Sequence, residues 1–300
     1  MVNVNRLNEI TNWFKGLQEA IILELEIADG LGKFLIENWQ RPGGGGGITR
    51  LCVGGTVIEK GGVNFSAVHG LTPDPIKRSF QTKAESFFAS GVSIVIHPVN
   101  PYIPIIHMNV RYFELSDGQA WFGGGIDLTP VYIFPEDARF FHGRLKEVCD
   151  RFNPIYYPDF KKRADDYFFI RHRNETRGIG GIFYDRMDAR EDANFAHLWD
   201  FTKSVGSSFA PIYTELIQRR IGLEWTEKEK WWQLHRRSRY VEFNLVYDSG
   251  TKFGLETDGR TESILMSMPP LARWESNYQP EPRTIEAESN EKFRKGIDWV

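Results

Sequence analysis

Cysteine is nearly absent. Only Cys52 and Cys149 occur among the 300 residues, far apart and in no C-x-x-C, which excludes a four-thiolate iron–sulfur cluster, a Cys-rich zinc module and a disulfide framework. A reducing compartment fits that usage. Charge of one sign is also missing: 37 Lys plus Arg face 40 Asp plus Glu, a formal net charge of -3, so no whole-chain field gathers a polyanion. A general nucleic-acid binder is therefore not expected. Long apolar runs are absent too, the densest being Ala20 to Leu23 and the Pro-broken stretch from Val92 to Ile106. Glu9, Glu19, Glu24 and Glu26 suit an acidic amphipathic helix at the N-terminus, not a signal or transit peptide. The expectation is a soluble cytoplasmic protein without a membrane span.

What is present is material for a core, with 41% hydrophobic and 14% aromatic residues. From Asn8 to Trp39, Trp13, Leu17, Ala20, Ile21, Leu35 and Ile36 recur at helical spacing, and Gly30 with Gly32 divides two helices. Gly43 to Gly47 reads as a flexible loop, because a poor strand precedes it and no Gly-Lys-Ser/Thr follows. Leu51 to Glu59, Val63 to Val68, Gly91 to Ile96, Ile105 to Leu115 and Ala120 to Leu128 read as strands, and their short turns imply antiparallel pairing. Helices are expected over Glu136 to Arg151, Tyr157 to His172 and Asn194 to Ile221, and strand again from Tyr240 to Tyr247 and on to Leu255. With no repeat and no dividing linker, the chain reads as one α+β domain over 1–300: a helical segment 1–40, a large antiparallel sheet flanked by helices, and a polar tail from about 280.

Alternation places chemistry on one face. His107, Asn109 and Arg111 project together, as do Ser93 and His97, and pairing of the two strands brings a hydroxyl, two imidazoles, an amide and a guanidinium to one side. Two readings stay open: a solvated polar face, or an acid–base group beside an anion-binding fork suited to a carboxylate substrate. In Trp121-Phe122-Gly123-Gly124-Gly125-Ile126-Asp127, three glycines mark close approach by a backbone or a flat ligand, and Asp127 falls at the rim. The cations of Arg171 to Arg177 and of Arg236, Arg237 and Arg239 either bind an anion or bridge neighbouring acids. His97, His107, His142 and His172 are candidate metal ligands by residue type, although no local H-x-x-x-H or H-x-H spacing supports that.

The segments Phe65-Ser66-Ala67-Val68-His69-Gly70, Gly91 to Pro98, His107 to Phe113, Trp121 to Pro130, His172 to Gly181, Arg239 to Leu245 and Gly259 to Ser267, in this order, closely resemble the oxygen-dependent coproporphyrinogen III oxidases. The likeness runs from about Asn64 to about Trp274. It implies oxidative decarboxylation of two propionates of coproporphyrinogen III to vinyl groups, with dioxygen consumed and protoporphyrinogen IX formed in haem biosynthesis. It also implies a homodimer and a redox reaction without a required cofactor. Residue by residue, the resemblance makes His107 a proton donor and Asp127 an acid facing the pyrrole nitrogens. It makes Ser93, the run Asn109-Val110-Arg111 and the run Asp258-Gly259-Arg260 substrate-binding. It makes His97, His107, His142 and His172 ligands of a possible divalent metal, and associates His172 and the region from about Tyr240 to Glu275 with dimerisation. One departure stands out: the family commonly reads Gly-Gly-Arg or Gly-Ser-Arg where this chain has Asp258-Gly259-Arg260, a carboxylate that repels propionates unless it points away.

Overall fold

The structure is a computed structural model and describes residues 4–256 and 260–300. In chain order the elements are α1 (Val4–Asp29), β1 (Leu35–Gln40), β2 (Gly45–Val53), β3 (Ile58–Leu71), α2 (Asp74–Phe80), β4 (Ser86–Pro98), β5 (Ile105–Leu115), β6 (Ala120–Thr129), α3 (Pro135–Asp150), α4 (Tyr156–Tyr167), β7 (Phe169–Ile170) and β8 (Glu175–Thr176). β9 (Gly180–Asp188), α5 (Asp192–Arg220), α6 (Glu227–Val246), α7 (Ser249–Glu256), α8 (Thr261–Leu265) and α9 (Ile285–Glu291) complete it. The strands form a seven-stranded sheet in the order β1-β2-β3-β4-β5-β6-β9, every neighbour antiparallel, while β7 and β8 pair separately. This is the expected α+β architecture.

The period of two divides the sheet into unlike faces. Val63, Phe65, Val92, Ile94, Ile106, Met108, Val110, Tyr112, Phe122 and Ile126 turn one way and join the buried side chains of α1, α3, α4 and α5 in the main core. Their sequence neighbours form the other face. α2 flanks that face at one end, its Ile76 buried with Phe87 and Trp121; α6 flanks the other, its Tyr240 buried with Val95 and Ile105.

Four local expectations are corrected. The N-terminal segment contains one helix, not two, because residues 35–40 pair with β2 from Leu35↔Leu51 to Gln40↔Gly46. The glycine run is no loose loop: its first residues turn the chain and Gly45 to Gly47 enter β2, where a Cβ on Gly45 would stand 2.2 Å from the Ala67 carbonyl oxygen and one on Gly46 2.3 Å from that of Trp39. Only glycine tolerates that approach. The helix expected to reach His172 stops at Tyr167, where the β7–β8 hairpin takes over. Residues 240–246 and 249–255 are helical, not extended, with Tyr247 capping the first of these helices. A capping box between Thr226 and Glu229 starts α6, and Trp232, Arg236, Tyr240, Phe243 and Asn244 bury one stripe of it, overriding the β-propensity of its aromatic and branched residues. β9, unmarked at the sequence level, closes the sheet edge beside β6. Beyond residue 280, Phe293 and Trp299 return to the main core.

Candidate active site

Register brings the polar residues together. Ser93 pairs with Asn109 and Val95 with His107 across β4 and β5, and His107 pairs with Asp127 across β5 and β6. Paired residues share a face, so Ser93, His97, His107, Asn109, Arg111 and Asp127 all lie on the side away from the main core. Ser93, His107, Asn109 and Arg111 are half-buried there. Val110, between two of them, points the opposite way into the core, so only its backbone borders this face.

Asp127 is not at the rim. It is buried, and each of its oxygens is already engaged: Oδ1 with His107 Nδ1 at 2.7 Å, Oδ2 with Arg177 Nη2 at 2.5 Å. Burial pushes the Asp127 carboxyl up, but the Arg177 charge and the His107 hydrogen bond outweigh it and hold the group below the usual carboxylate range. An ionised carboxylate only accepts, so His107 carries its hydrogen on Nδ1, and Nε2 is the nitrogen left to exchange protons. Arg177 is itself anchored: Nη1 donates to Asn244 Oδ1 at 2.7 Å, and its Cζ lies 4.4, 4.6 and 4.8 Å from the ring centroids of Phe168, Tyr240 and Phe243. At the sequence level Arg177 was one of an undifferentiated group of cations. Here it bridges an acid, as Arg173 does with Glu242, Arg236 and Arg239 with Glu175, and Arg237 with Glu59.

The two arginines expected to meet carboxylates have protein partners. Arg111 donates to Asn109 Oδ1 at 2.6 Å and to Asp185 Oδ1 at 2.8 Å. Arg260, at the start of α8, pairs with Glu37 on β1 and donates to Thr49 Oγ1 at 3.2 Å, so it crosses the face from the opposite side. Asp258 and Gly259 lie outside the described residues. The β6 glycines serve this packing. A Cβ on Gly123 would stand 2.5 Å from Asp185 Oδ1 and 3.0 Å from Arg111 Nη2, and one on Gly124 would meet the Tyr184 hydroxyl at 2.8 Å. The space reserved at these two positions belongs to the protein's own side chains. Glu37 and Asp185 lie on elements remote in sequence from their arginines, and nothing in the sequence pattern marks them.

The four histidines do not assemble. His142 sits on α3 on the core side of the sheet, its two nitrogens bonded to the Tyr157 hydroxyl and the Ile179 carbonyl, both at 3.0 Å. Burial pushes it down to about 3, so it is a neutral core imidazole. His97 is on the site face but covered by α6, with Nε2 2.8 Å from the Ser267 carbonyl oxygen and its ring edge-on to Tyr240. Burial and the Arg237 charge hold it well below the usual imidazole range. His172, on the β7–β8 turn, is bonded to Glu242 at 2.7 Å and to the Tyr247 hydroxyl at 2.8 Å. Among the described residues no three His, Cys, Asp or Glu side chains are grouped to hold a metal ion. The four therefore do not fit a single metal as a ligand set: the sheet itself separates His142 from His107.

Two surface concavities lie away from this chemistry: one of about 1020 Å³ between α3 and α5, and one of about 400 Å³ between α1 and the ends of β3 to β5. Neither is lined by His107, Asp127 or Arg111. The convergence of acid–base and cationic groups, not the depth of a depression, marks the site. No helix among the described residues is long and apolar enough to cross a membrane.

The family model for coproporphyrinogen III oxidase matches residues 9–299. The oxygen-dependent coproporphyrinogen-III oxidase of Prochlorococcus marinus (strain NATL1A) is 48% identical over 307 aligned positions, covering 94% of this chain and 88% of the relative. That of Coxiella burnetii (strain RSA 331 / Henzerling II) is 46% identical over 302, covering 99% and 96%.

Proposed function

The chain belongs to the coproporphyrinogen III oxidase family, and from that premise we infer that it turns coproporphyrinogen III into protoporphyrinogen IX in haem biosynthesis, decarboxylating two propionates to vinyl groups with dioxygen as oxidant. One observation carries the reading to particular residues: the His107–Asp127 pair stands on the same sheet face as Arg111 and Arg260. An acid–base group beside guanidinium forks is what a substrate of several carboxylate arms requires.

Each reacting arm gives up one hydrogen from the carbon next to the pyrrole and its carboxyl as carbon dioxide. The two electrons released pass to dioxygen, which takes two protons to become hydrogen peroxide; one comes from the substrate and one from solvent. His107 moves a proton at Nε2 in this sequence. Asp127 holds the imidazole in the productive tautomer and stabilises its charged form, and Arg177 keeps Asp127 ionised. General acid–base help of this kind contributes roughly 10²–10⁴ in rate. Arg111 and Arg260 bind the propionates, Ser93 and Asn109 add polar contacts, and the backbone at Val110 and the run Asp258-Gly259-Arg260 complete the binding set. Each charge-assisted contact is worth about 1.5–3 kcal/mol. The electron-rich porphyrinogen reduces dioxygen itself, without a resident cofactor, and no step is assigned to a metal.

The protein works as a cytoplasmic homodimer joined through the α6–α8 flank around His172. In support, Leu245, Val246, Leu271 and Trp274 expose apolar surface there. The deciding experiment incubates the protein with coproporphyrinogen III with and without oxygen. Carbon dioxide and a two-carboxylate product are expected in oxygen alone; binding without turnover makes the protein a tetrapyrrole carrier instead.

A further inference from the structure

Arg111 and Arg260 each face a carboxylate of the protein, whereas coproporphyrinogen III brings four carboxylates of its own. A third cation stands on the same face without such a partner. Between β6 and β9 the register shifts: Phe122 pairs with Met187 and Gly124 with Tyr184, so Gly123 is opposed by both Asp185 and Arg186. This β-bulge re-aims a side chain that regular alternation would send to the core side. Arg186 occupies the left-handed region at φ 54, a conformation that a non-glycine residue keeps only where its surroundings enforce it. Its guanidinium lies 4.8 Å over the ring of Phe80, which in turn packs on Trp121 and Phe113 with centroids 4.8 and 5.6 Å away. Phe113 and Trp121 share the face of Arg111 and Gly123. Among the described residues no carboxylate pairs with Arg186, and its side chain is exposed.

We propose that Arg186 is a specificity-determining cation that holds a propionate the reaction leaves intact. The inference rests on the function proposed above. Its location supplies the second half: Arg111 and Gly123 are paired, and Arg111 is four residues from His107 along β5, roughly 13 Å at about 3.3 Å per residue. Opposite Gly123, Arg186 is at that same distant level. A carboxylate held there belongs to an arm across the macrocycle from the arm at His107, so the bulge sets which arm reacts by fixing one that does not.

The test measures steady-state turnover by the full-length protein and its Arg186→Ala and Arg186→Lys variants. Coproporphyrinogen III is compared with an analogue in which one retained propionate is replaced by ethyl. For Arg186→Ala, KM for coproporphyrinogen III should rise at least about tenfold while kcat falls less than about threefold, and Arg186→Lys should recover most of the loss. The analogue should be penalised with the unaltered protein and no further with Arg186→Ala. A KM for Arg186→Ala within about twofold of the unaltered protein, or the same analogue penalty in both, overturns the assignment. If the unaltered protein itself fails to turn over coproporphyrinogen III in oxygen, the functional reading falls and takes this inference with it; turnover with an indifferent Arg186 sinks this inference alone.

Discussion

Arg177 and Asp127 meet at 2.5 Å with both side chains 3% exposed, so the acid that orients His107 is itself held by a cation sealed between three aromatic rings. A buried pair of this kind is a costly way to gain stability, because desolvation offsets much of the attraction. Its value here is to fix a charge and a direction under the site.

Asp127→Asn keeps the shape but removes that charge and strands Arg177 as a buried unpaired cation. Turnover should fall roughly 10²–10⁴-fold, and the urea midpoint should drop by the equivalent of about 3–5 kcal/mol. Near-normal turnover in the folded variant removes Asp127 from the chemistry.

His107→Ala should separate chemistry from folding. The side chain is about a quarter exposed and its loss leaves Asp127 still paired with Arg177, so thermal stability should change little while kcat falls at least about 10²-fold. A loss of less than about tenfold argues against proton transfer by His107.

Gly123→Ala pushes a methyl group against the far ends of Asp185 and Arg111. Both side chains are flexible, so the fold should survive while their ion pair is displaced. KM is expected to rise several-fold with little change in the unfolding midpoint. An unchanged KM means that the Arg111–Asp185 geometry is irrelevant to substrate.

Glu37 is paired with Arg260, so under the proposed function it competes with a propionate for that guanidinium. Arg260→Ala should raise KM by about tenfold, and Glu37→Gln, by releasing the guanidinium, should lower it. If both variants raise KM, the pair acts as one unit and Glu37 is not a competitor.

His142 makes a pH prediction with a definite sign. Its pKa is lowered from 6.5 to about 3 by burial, so below pH 6.5 the unfolded chain binds a proton that the folded one refuses. Stability from this group is full above 6.5 and is lost as pH falls toward 3. Between pH 7 and pH 5 that amounts to roughly 2 kcal/mol. In His142→Phe the drop in unfolding free energy over the same interval should be smaller by about that amount; an equal drop places the acid sensitivity elsewhere.

The strand faces were legible because alternation is local: the side-chain direction of His107, Asn109 and Arg111 follows from the pleat alone, and short turns between apolar strands leave antiparallel pairing as the simple solution. The order of the motifs was legible too, and carried the family. Secondary structure failed where tertiary contacts overrode propensity, as in α6, whose aromatic and branched residues look like strand until the capping box and the buried stripe around Tyr240 are seen.

Composition, strand polarity and the membership of the His107 face are thus properties of the sequence by itself. Which charge answers which was decided only by the fold. Arg177 is 50 residues from Asp127, and Arg260 is 223 from Glu37. Ion pairing depends on distance in space and on the water excluded around it, and neither quantity exists until the sheet is closed and α6 is laid across it.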